Sequence, residues 1–129
     1  MRHAELIQDL ISGWNAGDLA RVFELYTEDA EMRTGPHWPE QATYRGQEAI
    51  RATSEEWASL WEALQVEIDS LDEYGDKVVA TGAWRMRGAA SGVGGEMAIF
   101  ILFTVRDGKI AGVEWFEDRD TAVAAARGD

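Results

Sequence analysis

The stretch EMAIFILFTVRDGKIAGVEWFED, residues 96–118, decides the fold class of this chain. Residues 96–106 are apolar at odd and even positions alike, which is typical of a strand covered on both faces. Asp107-Gly108 is a favoured hairpin turn, and residues 109–117 form the returning strand. The stretch therefore predicts an antiparallel hairpin inside a sheet that is covered on both sides.

Three helices are predicted in the N-terminal half from apolar residues at helical spacing. They cover residues 6–14, 19–27 and 46–64. A short strand candidate at 30–34 precedes an irregular segment, 35–45, in which Pro36 and Pro39 oppose regular structure. Asp118 then begins a short fourth helix that is rich in alanine.

Two more strands are predicted ahead of the hairpin, at 66–69 and 78–87, with a turn at Tyr74-Gly75-Asp76 between them. The short turns make the late strands antiparallel, and no internal repeat is visible. We expect one α+β domain over residues 1–129, with helices covering a curved sheet. Helices cover one face only, so we expect the other face to pack against a second subunit in a homodimer. That outer face carries Ala98, Phe100, Leu102 and Thr104.

Composition excludes several classes of function. The formal net charge of −12 opposes binding to nucleic acid or to an anionic membrane, because both require cationic side chains. The chain has no cysteine and only two histidines, so we expect no metal site and no cofactor. No apolar run at the start resembles a signal peptide, and none reaches membrane-spanning length. We therefore expect a cytoplasmic protein.

Three segments carry a family resemblance: 38–46, 91–97 and 103–122, the last ending in Phe116-Glu117-Asp118-Arg119 with Ala122. They resemble actinobacterial-type SnoaL-like proteins of the nuclear transport factor two-like superfamily, which also holds ketosteroid isomerase, limonene epoxide hydrolase and scytalone dehydratase. The resemblance implies a cone-shaped α+β fold with a curved mixed or antiparallel sheet, three helices in the N-terminal half and a short C-terminal helix. It also implies a deep pocket between the sheet and the first and third helices, and a homodimer formed through the outer sheet face.

The resemblance does not transfer the relatives' catalytic groups. A ketosteroid isomerase uses a carboxylate base and a Tyr with a protonated Asp, and the aligned positions here hold Thr34, Leu10 and Met97. Many SnoaL-like relatives place a histidine where this chain has Ile101. Met97 and Ile101 are therefore predicted as apolar ligand contacts, and steroid isomerisation by that mechanism is disfavoured.

Three candidate acid or base residues remain, each with an alternative role. Asp118 could transfer a proton beside a carbonyl group, or it could cap the final helix. Glu117 shares a strand face with Val113 and Trp115, so it lies at the pocket wall unless the strand end reaches solvent. His37 titrates near neutral pH in the proline-containing loop, where it could serve proton transfer or be solvated.

Aromatic residues are the predicted substrate-binding groups, with ordinary core packing as the alternative. The set consists of Trp14, Tyr26, Trp57, Trp61, Trp84 and Trp115, with Trp38 as a lid aromatic or a plug for its loop. Together they suit a flat polycyclic ligand.

Three functions remain open. The first is a cofactor-independent isomerase, cyclase or dehydratase acting on a hydrophobic carbonyl compound. The second is a non-catalytic binding protein for a hydrophobic metabolite. The third is a dimeric interaction module whose pocket is small or filled.

Overall fold

A computed structural model describes residues 3–34, 43–59, 61–88 and 94–128, with the backbone alone at 57–59, 61–64, 86–88 and 94. The helices are α1 (His3–Asn15), α2 (Leu19–Glu24), α3 (Gln47–Ser59) and α4 (Arg119–Arg127). The strands are β1 (Tyr26–Arg33), β2 (Thr43–Arg45), β3 (Trp61–Tyr74), β4 (Lys77–Gly88), β5 (Gly94–Arg106) and β6 (Lys109–Phe116).

The six described strands form one mixed sheet in the order β2-β1-β6-β5-β4-β3. All neighbouring pairs are antiparallel except β1 and β6, which run parallel. The predicted α+β class with a curved mixed sheet is confirmed. The predicted hairpin is also confirmed, since β5 and β6 pair antiparallel on either side of Asp107-Gly108, both of which have positive φ.

A bulge in β3 contributes to the bend of the sheet. The β3–β4 register shifts between Ile68 and Ser70, opposite Gly82 and Thr81. A Cβ built on Gly82 would lie 2.0 Å from the backbone oxygen of Glu67, so only glycine fits this close approach. Bulges of this kind increase local twist and let a long strand curve around a core.

The two faces of the sheet are covered by different helices. The inner face packs against α1, α2 and α3, with Ile7, Ile50 and Phe103 at the centre of the core. On the outer face, Ala122 and Ala126 of α4 pack against the sheet. The sheet residues of that second cluster are Val79, Leu102, Tyr74, Phe100 and Phe116. Both faces of β5 around Leu102 are thus covered within one chain.

This arrangement corrects the expectation that helices cover one face of the sheet only. The expected contact of the outer face with a second subunit stays a prediction. Leu102 is buried, and Phe100 is half-buried in the same cluster, because α4 folds back over them. Ala98 remains exposed. Among the described residues of this face, α4 leaves the region around Ala98 open.

The second and third helices are shorter than predicted. Helix α2 ends at Glu24, and Tyr26 is the first residue of β1 instead of part of a helical stripe. Trp61 was predicted on the third helix, and this was wrong: it begins β3, where its partner is Gly88. The β3–β4 pairing extends over both strands, and its ladder of hydrogen bonds overrides the local helical spacing. The strand β2 also lies inside the segment predicted to be irregular, and it pairs with β1.

No helix in the described part of the chain is long and apolar enough to cross a membrane.

Candidate functional site

A cavity of about 60 Å³ lies between the inner face of the sheet and helices α1 and α3. The described residues that line it are Leu10, Ile11, Trp14, Val22, Tyr26, Met32, Ser54, Val66, Trp84, Ile101, Phe103, Val113 and Trp115. A single buried water needs roughly 10–15 Å³ of such space. The cavity is therefore a small apolar site, and several fused rings do not fit inside it as it stands.

Regular periodicity brings these side chains to one place. Leu10 and Trp14 lie one turn apart on α1, on the face buried against the sheet. Ile101 and Phe103 of β5 line the cavity at alternate positions, and so do Val113 and Trp115 of β6. Alternation directs every second side chain of these strands toward the helices.

Two tryptophans from different strands form one corner of the cavity. The rings of Trp84 on β4 and Trp115 on β6 have centroids 4.8 Å apart and planes inclined at 59°. Trp84 is 8% exposed and packs in the main core. A tilted pair at this distance is a favourable aromatic geometry and holds both rings in place.

Few polar groups reach the cavity. Tyr26 and Ser54 are each 5% exposed, and they supply the hydroxyl groups of its lining. The indole Nε1 atoms of Trp14 and Trp115 are buried. Among the described residues of the lining there is no Asp, Glu, His, Lys or Arg.

The Tyr26 phenol is held in its neutral form. Burial raises its pKa well above the ordinary value, and desolvation is the cause. The Gln47 side chain fixes the backbone around it, because Nε2 donates to the carbonyl oxygens of Phe23 at 2.6 Å and Tyr26 at 3.3 Å. Tyr26 can therefore donate a hydrogen bond into an apolar site, but it does not act as a base near neutral pH.

Asp118 lies outside the cavity lining and caps α4. Its Oδ1 accepts a hydrogen bond of 2.7 Å from the backbone N–H of Thr121. That hydrogen bond lowers the pKa of the exposed carboxyl group below its usual value. A general acid needs a raised pKa, so this environment favours the capping role over proton transfer.

Glu117 also lies away from the cavity. Strand β6 ends at Phe116, and the Glu117 side chain is exposed, although Val113 and Trp115 line the cavity as its alternation partners. The strand ends one residue too early to carry the carboxylate inward.

The other predicted site residues fall into three groups. Trp14, Tyr26, Ile101 and Trp115 line the cavity. Met97 is half-buried and packs against the core, outside the described lining. His37 and Trp38 lie outside the described residues, and Trp57 and Trp61 are described by their backbones alone.

Ser54 is a cavity residue that the sequence interpretation missed. It follows Ile50 by one turn of α3, and Ile50 is fully buried, so helical spacing alone could have placed Ser54 on the inward face. Ser54 was missed because the inward face was identified from apolar residues and its side chain is polar. No cluster of three or more potential metal ligands occurs among the residues that the structure describes.

Fold and site together define a nuclear transport factor two-like domain: a curved six-stranded sheet and helices that enclose an apolar cavity. The family model described as a SnoaL-like domain matches residues 7–113. The chain belongs to the SnoaL-like family, as its sequence resemblance implies. Among curated proteins, a search finds no match.

Solved structures show the same fold at low sequence identity. An NTF2-like protein of unknown function from Burkholderia pseudomallei is 15% identical, with a TM-score of 0.78, covering 98% of this chain and 97% of its own. A protein with a ketosteroid isomerase-like fold from Catenulispora acidiphila, in complex with trimethylamine, is 18% identical, with a TM-score of 0.78 and coverages of 96% and 92%. A "putative polyketide cyclase" from Pseudomonas putida is 19% identical, with a TM-score of 0.79 and coverages of 93% and 94%.

Proposed function

We propose that this SnoaL-like protein binds a small, mostly apolar molecule in the aromatic cavity and performs no acid–base chemistry with the groups that line it. The observation that carries the proposal is the lining itself, in which the described residues include no carboxylate, histidine, lysine or arginine. Pockets of this kind obtain affinity from apolar contact and orient the ligand with a few hydroxyl groups.

Two features of the site support binding. The hydroxyl group of Tyr26 remains protonated, so it can donate to an acceptor oxygen on the ligand. The Trp84–Trp115 corner offers aromatic surface at a fixed inclination. The Catenulispora structure contains trimethylamine, which is consistent with small ligands being accepted by this fold.

The test is a titration with two neutral probes, cyclohexanone and 4-methylphenol, followed by isothermal titration calorimetry and intrinsic tryptophan fluorescence. The variant Ile101→Phe adds volume inside the cavity and should abolish binding. The control Ile68→Phe places the same change at a half-buried position on β3, where Ile68 lies outside the cavity lining, and should bind like the parent. Equal loss in both variants, or no binding by the parent chain, would overturn the proposal.

A second candidate is a cofactor-independent isomerase, cyclase or dehydratase acting on a small carbonyl compound. It is favoured by the buried, neutral Tyr26, which could stabilise a developing enolate by hydrogen bonding, and by the Pseudomonas relative's description as a cyclase. His37, one of the three candidate acid or base residues, lies outside the described residues.

Exchange of the α-protons of cyclohexanone in deuterated water, followed by proton NMR, tests this candidate. An enzyme should accelerate the exchange, Tyr26→Phe should remove most of the acceleration, and Asp118→Asn should leave it intact. Exchange no faster with the protein than in buffer would exclude it for this probe.

A further inference from the structure

The described aromatic residues that line the cavity come from five different elements. They are Trp14 of α1, Tyr26 at the first position of β1, Trp84 of β4, Phe103 of β5 and Trp115 of β6. The Trp84 and Trp115 planes meet at 59° with centroids 4.8 Å apart. Two inclined rings make a corner, and rings from three further elements border the same small volume.

The electrostatics of this lining suit a positive charge. Each aromatic face carries a negative potential, whereas an indole N–H edge is positive. The Nε1 atoms of Trp14 and Trp115 are buried, so these positive edges contribute almost nothing to the accessible surface of the cavity. Neither Lys nor Arg occurs among its described lining residues, and the whole chain carries a formal net charge of −12. A cation would be attracted both by the rings and by the field of the protein.

The volume limits the size of the group that enters. The cavity measures about 60 Å³. A ligand can therefore place only one compact group inside it, and the rest of the molecule lies outside the lining.

We propose that the cavity is an aromatic cage for the methylated ammonium group of a small organic cation, an inference that rests on the proposed binding function and names its ligand class. Tryptophan is the strongest cation–π partner, and desolvated cages use several such faces at once. Methyl groups on nitrogen remove the hydrogen-bond donors that an apolar lining could not satisfy.

The decisive experiment compares choline with its neutral isostere, in which a tert-butyl group replaces the trimethylammonium group. The two probes have nearly the same shape and differ in charge. Isothermal titration calorimetry on the full chain should show choline binding at least about tenfold more tightly, which is within the range of a desolvated cation–π contact. Because choline is permanently charged, this preference should be unchanged between mildly acidic and mildly alkaline buffer.

Substituting a tryptophan of the cage should reduce the preference for choline over its neutral isostere. Trp84→Phe keeps an aromatic ring with a weaker cation–π face, so choline affinity should fall several-fold while the neutral isostere binds almost as before. Trp115→Phe provides the same test if the first variant does not fold. The control Tyr74→Phe alters an aromatic residue of the outer cluster under α4 and should change neither affinity.

The outcomes separate the two proposals. If the neutral isostere binds as tightly as choline or more tightly, the cage is overturned while apolar binding stands. If neither probe binds, the cage is again overturned, and the titration with cyclohexanone and 4-methylphenol decides the proposed function independently. A preference for choline that persists in both tryptophan variants would also overturn the cage.

Discussion

The side-chain amide of Asn15 makes two hydrogen bonds with the backbone of Val66, each 2.8 Å long: Nδ2 donates to the carbonyl and Oδ1 accepts from the N–H. Asn15 is the last residue of α1, and β3 is an edge strand of the sheet. The backbone N–H and carbonyl of Val66 are thereby both hydrogen-bonded, as they would be if another strand paired with this edge of the sheet. The contact joins α1 to the strand beside Trp14 and Val66, which line the cavity.

Removing this bridge should loosen the cavity. We expect Asn15→Ala to lower the free energy of unfolding by about 2 kcal/mol, because two part-buried backbone groups lose their partners. Asn15→Asp is the informative comparison, since it retains the acceptor but places a carboxylate oxygen against the Val66 carbonyl. Urea unfolding measures both variants. Parent-like stability of Asn15→Ala would show that water replaces the bridge at no cost.

Gly82 should be intolerant of any side chain. Its Cβ would lie 2.0 Å from the Glu67 oxygen and 2.9 Å from the Ile68 Cα, both of them backbone atoms that cannot rotate away. We expect Gly82→Ala to cost more than about 3 kcal/mol or to prevent folding. Gly112→Ala is the matched control in the same sheet, because its Cβ would meet the Thr104 Cβ at 3.4 Å, an ordinary contact. Circular dichroism during urea unfolding should separate the two, and similar losses would contradict the bulge argument.

Asp118 should contribute to stability and not to proton transfer. Asp118→Asn should be nearly neutral because Asn also caps helices, whereas Asp118→Ala should lower the melting temperature. The folded pKa is lowered from 3.8, so the contribution is present above the unfolded pKa and is lost as pH falls through the folded one. Thermal melts from neutral to strongly acidic pH measure this, and Asp118→Asn should flatten that part of the profile. If the melting temperature of Asp118→Asn depended on pH as that of the parent does, the Asp118 cap would not be the source of that dependence.

Tyr26 should make the protein sensitive to alkali. Its folded pKa is raised above the unfolded value of 10.0, so the stabilisation is full below that value and declines as pH rises above it. We expect the free energy of unfolding to fall in strong alkali and the loss to be smaller in Tyr26→Phe. Ultraviolet absorbance of tyrosinate, recorded alongside unfolding, should show one tyrosine that ionises only on unfolding. Ionisation of all tyrosines in the folded state would contradict this.

The open part of the outer sheet face is our proposed dimer contact. Ala98 is exposed on β5, and its β4 partner Ala83 is half-buried, beyond the region that α4 covers. We expect light scattering after gel filtration to give twice the mass of one chain. Ala98→Glu should give a monomer, because the introduced carboxylates of the two subunits would repel each other across the contact. Ala98→Ser should remain dimeric. A monomeric parent chain would end the proposal.

The local sequence correctly predicted those elements whose signals all lie within one short segment of the chain. The β5–β6 hairpin follows from Asp107-Gly108 between two apolar runs, and the start of α4 follows from Asp118 before an alanine-rich segment. Trp61 shows where such patterns fail, because helical spacing continued past Ser59 while pairing with Gly88 drew the residue into β3. The parallel pairing of β1 with β6 was equally invisible, since it joins segments from opposite ends of the chain.

The candidate site divides in the same way. Periodicity alone placed Trp14 and Trp115 on inward faces, because side-chain direction repeats with the backbone. It could not show that β6 ends at Phe116, which leaves Glu117 and Asp118 in solvent, nor that α4 returns to cover Leu102. Those facts depend on which elements meet, and that is set by long-range packing. By itself the sequence determined the class of fold, the strand hairpins and an aromatic interior; only the tertiary structure decided which rings share a cavity and that the described acids lie outside it.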